Sequence, residues 1–575
     1  MNPETRTCQN CKKDFVIEPE DFDFYKKIDV PAPTFCPDCR LARKLTWRNE
    51  RTLFKRACDF CGKDIISMHK PDSIFPVYCH DCWWSDKWDP LDYGQDYDFN
   101  KSFFNQFNEL QEKTPRPSAY STANINSEYC NHSAHMKNSY LIFGSWFSED
   151  CGYGQTVMDS KNCWDCIFIR KCESCFQSTD LTECNQVFFS KQCHSCIDSF
   201  FIFDCRNCQN CIFSFNLRNK KYHIFNKPVS KEEYKKIKEE IFSSRTSLEE
   251  AKRKFKNLIK KEAFHKFMIG DRNNNVSGEF IFNSKNVHKS YYIDNGENEK
   301  YVVRGGVGQK DTMDGFGTHS GELCYETNNI DFSSRCLFSL NGESNINSSY
   351  LIDCDHVNNS FGCISVQKDE YCILNKKYSK EEYNELIPKI IKSMGKNLHK
   401  DKRGVTYGYG EFFPGEISPF FYNETIAQEW FPLDKEKATA LGYRWKDDNN
   451  KKSYVPTVSS KDLPEKIKEI DESIFSEIIL CESWDEDKKE AQKHGCTKAF
   501  KVIQNELSFY RKYNIPLPVR CSNCRYFKMF SERNLLGSWH RTCMKEGCNN
   551  EFETSYSPDR EEIVYCESCY KKEVY

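Results

Sequence analysis

The stretch Cys163-Trp-Asp-Cys166-Ile-Phe-Ile-Arg-Lys-Cys172-Glu-Ser-Cys175-Phe-Gln-Ser-Thr-Asp-Leu-Thr-Glu-Cys184 decides how the middle of this chain is read, because its residue types recur on both sides at one spacing. Cys130, Cys151, Cys172 and Cys193 stand 21 residues apart, as do Cys163, Cys184 and Cys205, with Ile142 one period earlier. Phe147, Phe168 and Phe189 form a further column, and Cys175 with Cys196 another. Independent columns sharing one period mark a repeat architecture, in which each unit buries its apolar face against its neighbours. A period of 21 with β-branched, aromatic and Cys positions between Asn/Ser/Asp-rich turns predicts one coil of a right-handed parallel β-helix. Successive coils would lie ~4.8 Å apart. The stacked cysteines are expected to fill the interior as small apolar side chains.

A second, less regular block runs from about Glu279 to Lys376, and its exit repeats that of the first. Tyr222, Ile224, Asn226-Lys227 and Ser230-Lys-Glu-Glu-Tyr234 match Tyr371, Ile373, Asn375-Lys376 and Ser379-Lys-Glu-Glu-Tyr383 at an offset of 149. In each copy Ser followed three residues on by Glu predicts a capped helix start, and the helix is expected to cover the end of its solenoid.

The remaining cysteines come in pairs. Cys8, Cys11, Cys36 and Cys39 form one set of four, and Cys58, Cys61, Cys79 and Cys82 a second. A CxxC turn offers two thiolates from one knuckle, and two knuckles close a tetrahedral zinc site with no position left for a catalytic water. At an offset of 485 the C-terminal end repeats this module. Cys11 falls on Cys496, Phe24-Tyr25 on Phe509-Tyr510, Cys36, Cys39 and Arg40 on Cys521, Cys524 and Arg525, Arg48-Asn49 on Arg533-Asn534, and Cys58 on Cys543. Cys548, Cys566 and Cys569 follow after a short slippage. Lys493 stands where Cys8 would repeat, so the third site has Cys496, Cys521 and Cys524, with His494 or Cys481 to complete it. Three to four structural Zn²⁺ sites are expected.

The fold class expected is therefore mainly β: a duplicated right-handed parallel β-helix (solenoid) with capping helices, flanked by zinc-ribbon/treble-clef modules at both ends. The division expected is 1–90 double zinc module, 91–119 helical linker, 120–228 first solenoid, 229–275 helical segment, 276–377 second solenoid, 378–400 helix, 401–480 aromatic and Pro-rich linker, and 481–575 C-terminal zinc module. Within the linker, Gly410 to Tyr422, with Phe412-Phe413-Pro414, Pro419 and Phe420-Phe421, is expected to pack as a bridge between solenoid and C-terminal module, the alternative being a displayed interaction surface.

The stretches Val30-Pro-Ala-Pro-Thr-Phe-Cys-Pro-Asp-Cys-Arg40, Trp83-Trp84, Asn126-Ser-Glu-Tyr129, Gly410-Glu-Phe-Phe-Pro414 and Glu506-Leu-Ser-Phe-Tyr510 resemble a family of large zinc-ribbon domain-containing proteins of uncultivated, candidate-phyla bacteria. The resemblance covers almost the whole chain and implies zinc binding.

Composition narrows the partners. The chain has 575 residues, a formal net charge of -3, 15% aromatic residues and 33 cysteines. Several domains are expected at this length, and attraction to nucleic acid would have to come from local patches. Paired cysteines without a basic-then-apolar leader favour metal thiolates over disulfides and a cytoplasmic protein, with no membrane and no small-molecule cofactor expected.

Two sets of residues carry chemistry beyond metal binding. Arg40, Arg43, Lys44, Arg48, Arg51, Lys55 and Arg56, interleaved with Trp47 and Phe54, could grip a nucleic-acid backbone and stack bases, or form a solvated connector. A second basic run, Lys252 to Lys261, reads equally as a charged helix face. The Gly-rich segment Arg304-Gly-Gly-Val-Gly308 followed by Asp311, Asp314, His319 and Glu322 is the best enzymatic candidate, against a turn-rich solenoid loop. Expected overall is a non-catalytic scaffold or adaptor for RNA, a ribonucleoprotein or another protein. The rival is an enzyme acting on a polymer such as a carbohydrate in a solenoid groove.

Overall fold

The computed structural model describes residues 2–447, 455–534 and 536–575, so residues 448–454 of the expected linker lie outside it. The chain divides into two compact units, each assembled from two separated stretches. Unit 1 comprises Met1–Ala119 and Met268–Lys446; unit 2 comprises Tyr120–Phe267 and Asp447–Tyr575. Each unit therefore combines one Cys-paired module with one of the two repeat blocks, and the partnership is crossed. The N-terminal module packs with the second block and the C-terminal module with the first.

Both blocks are built of short parallel strands. In unit 2 the pairing runs Asn131–Ala134, Phe143–Trp146, Gln155–Met158, Ile167–Arg170 and Thr179–Thr182, each four residues long. Partners such as Gln155 and Ile167, or Ile167 and Thr179, are 12 residues apart. The ladder thus repeats every 12 residues and not every 21. Beneath it lies a three-residue rhythm. Asn162, Asp165, Phe168, Lys171, Ser174 and Gln177 all have φ between 41° and 56°, in the left-handed region that non-Gly residues seldom enter. The residue after each of these is buried: Cys163, Cys166, Ile169, Cys172, Cys175 and Ser178.

Hydrogen bonding explains why small polar side chains fill that buried position. In the triplet Cys163-Trp164-Asp165, the Trp164 N–H donates to the Cys175 carbonyl at 3.0 Å and the Asp165 N–H to the Gly152 carbonyl at 2.9 Å. The Cys163 N–H instead donates to Cys151 Sγ at 3.4 Å, and the Cys175 N–H to Cys163 Sγ at 3.4 Å. Ser takes the same role elsewhere: Cys172 N–H donates to Ser160 Oγ and Ile202 N–H to Ser190 Oγ, both at 3.1 Å. A buried amide left without an acceptor would cost about 1–3 kcal/mol, so a Ser or Cys at each such point completes the backbone. The interior thiols are donors too. Burial pushes Cys130 up to about 12 and Cys324 up to about 11, and Cys324 donates to the Glu322 and Ser333 carbonyls at 3.6 Å. The expectation of apolar filling is thereby sharpened: these thiols pack and hydrogen-bond.

The block in unit 1 follows the same 12-residue register between Asn328–Asp331, Leu340–Glu343 and Ile352–Asp355. Its register changes locally. Asn274 pairs with Lys285, and a bulge at Val276/Gly278 intervenes; Glu297 then pairs with Lys310, a step of 13. The Arg304-Gly-Gly-Val-Gly308 run lies at that added residue, where Gly308 takes φ 80° and a Cβ on Gly306 would stand 1.8 Å from His319 Cδ2.

The helix starts read from Ser-Lys-Glu-Glu-Tyr hold. Ser230 caps Lys231–Ile241 by accepting from the Glu233 N–H, and Ser379 with Glu382 forms a capping box on Lys380–Lys396. Phe412 and Phe413 are fully buried in the unit 1 core, so the aromatic linker packs; it does so against the N-terminal module, Trp47 meeting Phe413 at 5.1 Å, and not as the expected bridge to the C-terminal module.

Candidate metal centres

Four groups of four cysteines come together, their Sγ atoms all within 4.8 Å of one another: Cys8, Cys11, Cys36 and Cys39; Cys58, Cys61, Cys79 and Cys82; Cys481, Cys496, Cys521 and Cys524; and Cys543, Cys548, Cys566 and Cys569. Three of them share one construction. A knuckle joins two antiparallel strands, Glu4–Thr7 with Asp14–Ile17, Phe54–Ala57 with Asp64–Ser67, and Trp539–Thr542 with Glu551–Thr554. The second pair starts a helix. Cys36, Cys79, Cys521 and Cys566 are the cap residues of Pro37–Leu45, His80–Trp83, Ser522–Ser531 and Glu567–Val574, where the helix dipole favours thiolate.

The donor geometry fits a tetrahedral ion. A metal–sulfur bond of ~2.3 Å sets a tetrahedron edge of about 3.8 Å, and the pairs Cys11–Cys36, Cys61–Cys79, Cys521–Cys496 and Cys548–Cys566 stand 3.7, 3.9, 3.7 and 3.9 Å apart. A disulfide needs ~2.05 Å, and all of these cysteines are free. Surrounding groups orient the sulfurs: the Cys79 N–H donates to Cys58 Sγ at 3.2 Å, the Cys521 N–H to Cys481 Sγ at 3.3 Å and Asn10 Nδ2 to Cys39 Sγ at 3.3 Å.

At the third site Cys481 supplies the fourth sulfur, so His494 is corrected. It faces the Glu490 carboxylate at 3.3 Å and stacks on Phe527 with centroids 5.5 Å apart. The knuckle has been opened by two short helices, Glu482–Glu486 and Lys488–Lys493, inserted between Cys481 and Cys496. The strand before Cys481, Ile479–Leu480, still pairs antiparallel with Ala499–Phe500.

The basic set after the first knuckle pair is a second correction. Arg40, Arg43, Lys44 and Arg48 are at most 2% exposed, so four of the seven cations cannot meet a phosphate backbone. Arg40 pairs with Asp314 at 2.8 Å, Arg43 with Glu326 at 3.1 Å and Glu411 at 3.0 Å, and Arg48 with Glu50 at 2.5 Å. Lys44 Nζ donates to the Asp314 carbonyl at 2.5 Å. Burial pushes the Glu326 carboxyl above its usual range, opposed by the Arg43 and Lys44 cations. Arg51 faces Glu429 at 3.9 Å, Arg56 binds Asp59 at 2.6 Å, and Lys55 is exposed. Arg40, Arg43, Lys44 and, through Asn329, Arg48 tie the Cys-paired module to the parallel block of its own unit.

Of the enzymatic candidates only Asp314 is taken up by a buried ion pair. Asp314 belongs to the Arg40 pair, Asp311 meets Lys27 at 2.9 Å, His319 meets Asp331 at 2.8 Å, and Glu322 is exposed. They do not converge on a common point of attack.

Unit 2 repeats the latch. Arg525, the counterpart of Arg40, pairs with Asp165 at 2.9 Å, and Asp165 lies 149 residues before Asp314. Arg533, the counterpart of Arg48, pairs with Asp180 at 2.7 Å, while Arg48 donates to Asn329 Oδ1 at 3.0 Å, again 149 residues on. The ring contacts of Phe509 and Tyr510 with Phe176 match those of Phe24 and Tyr25 with Tyr325. No protein-family model and no curated protein matches the chain. Among the described residues no helix is long and apolar enough to cross a membrane.

Proposed function

We propose that this protein is a non-catalytic, zinc-stabilised scaffold, in which each parallel ladder closes into a four-sided β-helix and a metal module is latched to its flank. Four left-handed residues in each 12-residue repeat support the four sides: each turns the chain, and three residues make one side. The observation that carries the metal reading is the sulfur geometry, four complete Cys₄ sets whose Sγ atoms all lie within 4.8 Å, with one pair in each at 3.7–3.9 Å. Four protein ligands per ion leave no position for substrate or water, which supports a structural role over a catalytic one. Zn²⁺ at such a site contributes roughly 10 kcal/mol or more of folding free energy. The loss of Arg40, Arg43, Lys44 and Arg48 to buried ion pairs weighs against RNA as the partner on that face and favours a protein partner. The test is metal analysis of the purified chain. About four zinc ions per chain are expected, with protease resistance lost on chelation; fewer than three, or iron in their place, overturns the reading.

A further inference from the structure

Unit 2 contains a cleft of about 340 Å³ between its parallel block, the helix Arg245–Lys261 and the strip Ile515–Glu532, within the size range of ligand sites. The internal duplication shows what fills the same place in unit 1. Three lining residues on the metal module, Val519, Lys528 and Glu532, correspond at the 485 offset to Thr34, Arg43 and Trp47. Two on the block, Phe189 and Phe201, correspond at the 149 offset to Phe338 and Tyr350.

In unit 1 every one of those counterparts touches a single segment, Tyr409-Gly-Glu-Phe-Phe413. Arg43 pairs with the Glu411 carboxylate at 3.0 Å, and Thr34 N–H donates to its other oxygen at 2.9 Å. Tyr350 donates to the Glu411 carbonyl at 3.2 Å and stands 5.7 Å from the Phe413 ring, which Trp47 meets at 5.1 Å. Phe338 meets Tyr409 at 6.2 Å. The stretch of unit 2 at the matching offset does not follow this path: it forms the end of the helix Arg245–Lys261 and then the strand Phe264–Lys266, paired with Ile563–Tyr565. The same helix covers part of the place, with Phe255 5.7 Å from the Phe201 ring and Lys252 4.9 Å above Phe189, and what is retained open is the metal-module side, Val519 and Lys528.

We propose that this cleft receives an extended peptide from a protein partner, carrying a carboxylate followed by two aromatic residues. The carboxylate would pair with Lys528 as Glu411 pairs with Arg43, and the rings would lie against the partly exposed apolar lining of Ile259, Val519 and Met529. Charge agrees: Lys191, Lys252, Arg253, Lys256, Arg520 and Lys528 line the cleft against Glu249 and Glu532. Among the described residues Lys528 and Arg253 make no ion pair, whereas Lys252 is held by Glu249 at 2.7 Å and Arg520 by Glu482 at 2.8 Å. A charge-assisted contact and an apolar anchor are the two elements of linear-peptide recognition.

The inference rests on the scaffold reading, so the test uses full-length protein whose four metals have first been counted. A fluorescent peptide of the sequence Tyr-Gly-Glu-Phe-Phe-Pro-Gly is titrated and its anisotropy followed. Saturable binding is expected, weakened about tenfold or more when the peptide Glu becomes Gln or the protein carries Lys528→Glu. A peptide with Lys at the Glu position should regain affinity for Lys528→Glu. Absence of saturation at millimolar peptide on fully metallated protein overturns the cleft assignment alone. Equal affinity of a scrambled peptide, an unchanged Lys528→Glu variant, or displacement by a short RNA that binds more tightly would overturn it as well.

Discussion

Replacing Cys163 tests whether the interior thiols hold the backbone or merely fill space. Its sulfur accepts from the Cys175 N–H at 3.4 Å and lies 3.3 Å from the Lys161 carbonyl and 3.7 Å from that of Cys172. Those two carbonyls keep other donors, the Ser174 and Lys161 N–H groups, at 2.9 Å. Only the Cys175 amide is orphaned when the sulfur goes. Cys163→Ala should therefore cost about 1–3 kcal/mol for the unpaired N–H and about 1 kcal/mol for the small void, roughly 2–4 kcal/mol together. Cys163→Val restores the volume without the acceptor and should keep most of the loss. Cys163→Ser keeps the acceptor, as Ser160 and Ser190 do natively, and should cost least. Hydrogen exchange read by mass spectrometry on the peptide spanning residues 172–178 is the assay, because it reports this rung without requiring the whole chain to unfold. The Ala variant is expected to exchange there roughly 30- to 1000-fold faster at the stated energies. If Ser proves as damaging as Ala, or Val is harmless, the hydrogen-bond role is wrong and only packing remains.

Three further outcomes follow from other parts of the molecule. Glu299 is 1% exposed with no hydrogen-bond partner for either carboxylate oxygen, and burial raises its carboxyl well above 4.5. The folded state thus holds this proton more tightly than the unfolded one, so stability should fall by about 1.4 kcal/mol per unit as pH rises from 4.5 toward the folded value; Glu299→Gln should flatten that slope in urea midpoints taken between about pH 5 and 8. Cys481→Ser should release one metal per chain in elemental analysis, while His494→Ala should release none. Arg40→Met leaves Asp314 buried without its guanidinium and should destabilise unit 1 by about 3–5 kcal/mol, a loss that Arg40→Met with Asp314→Leu should largely reverse in the same denaturation assay.

The ligand lists of three candidate metal sites were legible because paired cysteines are local objects: CxxC knuckles in two of them, and in the third Cys543 and Cys548, with four residues between them, found by their repeat of the N-terminal module. The fourth ligand of the remaining site was narrowed only to His494 or Cys481, since the helices inserted after Cys481 carried it out of register. The repeat was seen at 21 because Cys163 and Cys184 share a position in the triplet, and any multiple of three preserves it. The step of 12 was present as well, in Cys151, Cys163 and Cys175 and in Cys172, Cys184, Cys196 and Cys208, but with every triplet offering the same buried position, sequence alone does not say which multiple of three makes one turn of the ladder. The basic run was visible as charge, but its acids, Asp314, Glu326 and Glu411, lie more than 270 residues away in the sequence. Charge in a sequence shows a demand for counter-ions and not who meets it.

The crossed partnership of modules and blocks has a consequence for synthesis. A growing chain displays Arg40 and then Asp165 long before Asp314 or Arg525 has been made. Both latches use the same guanidinium–carboxylate chemistry, so the first dock to be synthesised is not the one that the first module occupies in the folded protein. Discrimination falls to the details in which the docks differ, such as Asn329 against Asp180 beneath the second arginine. Those few residues are where one dock can be told from the other, and exchanging Asn329 and Asp180 is expected to lower refolding yield more than the stability of the molecules that do fold.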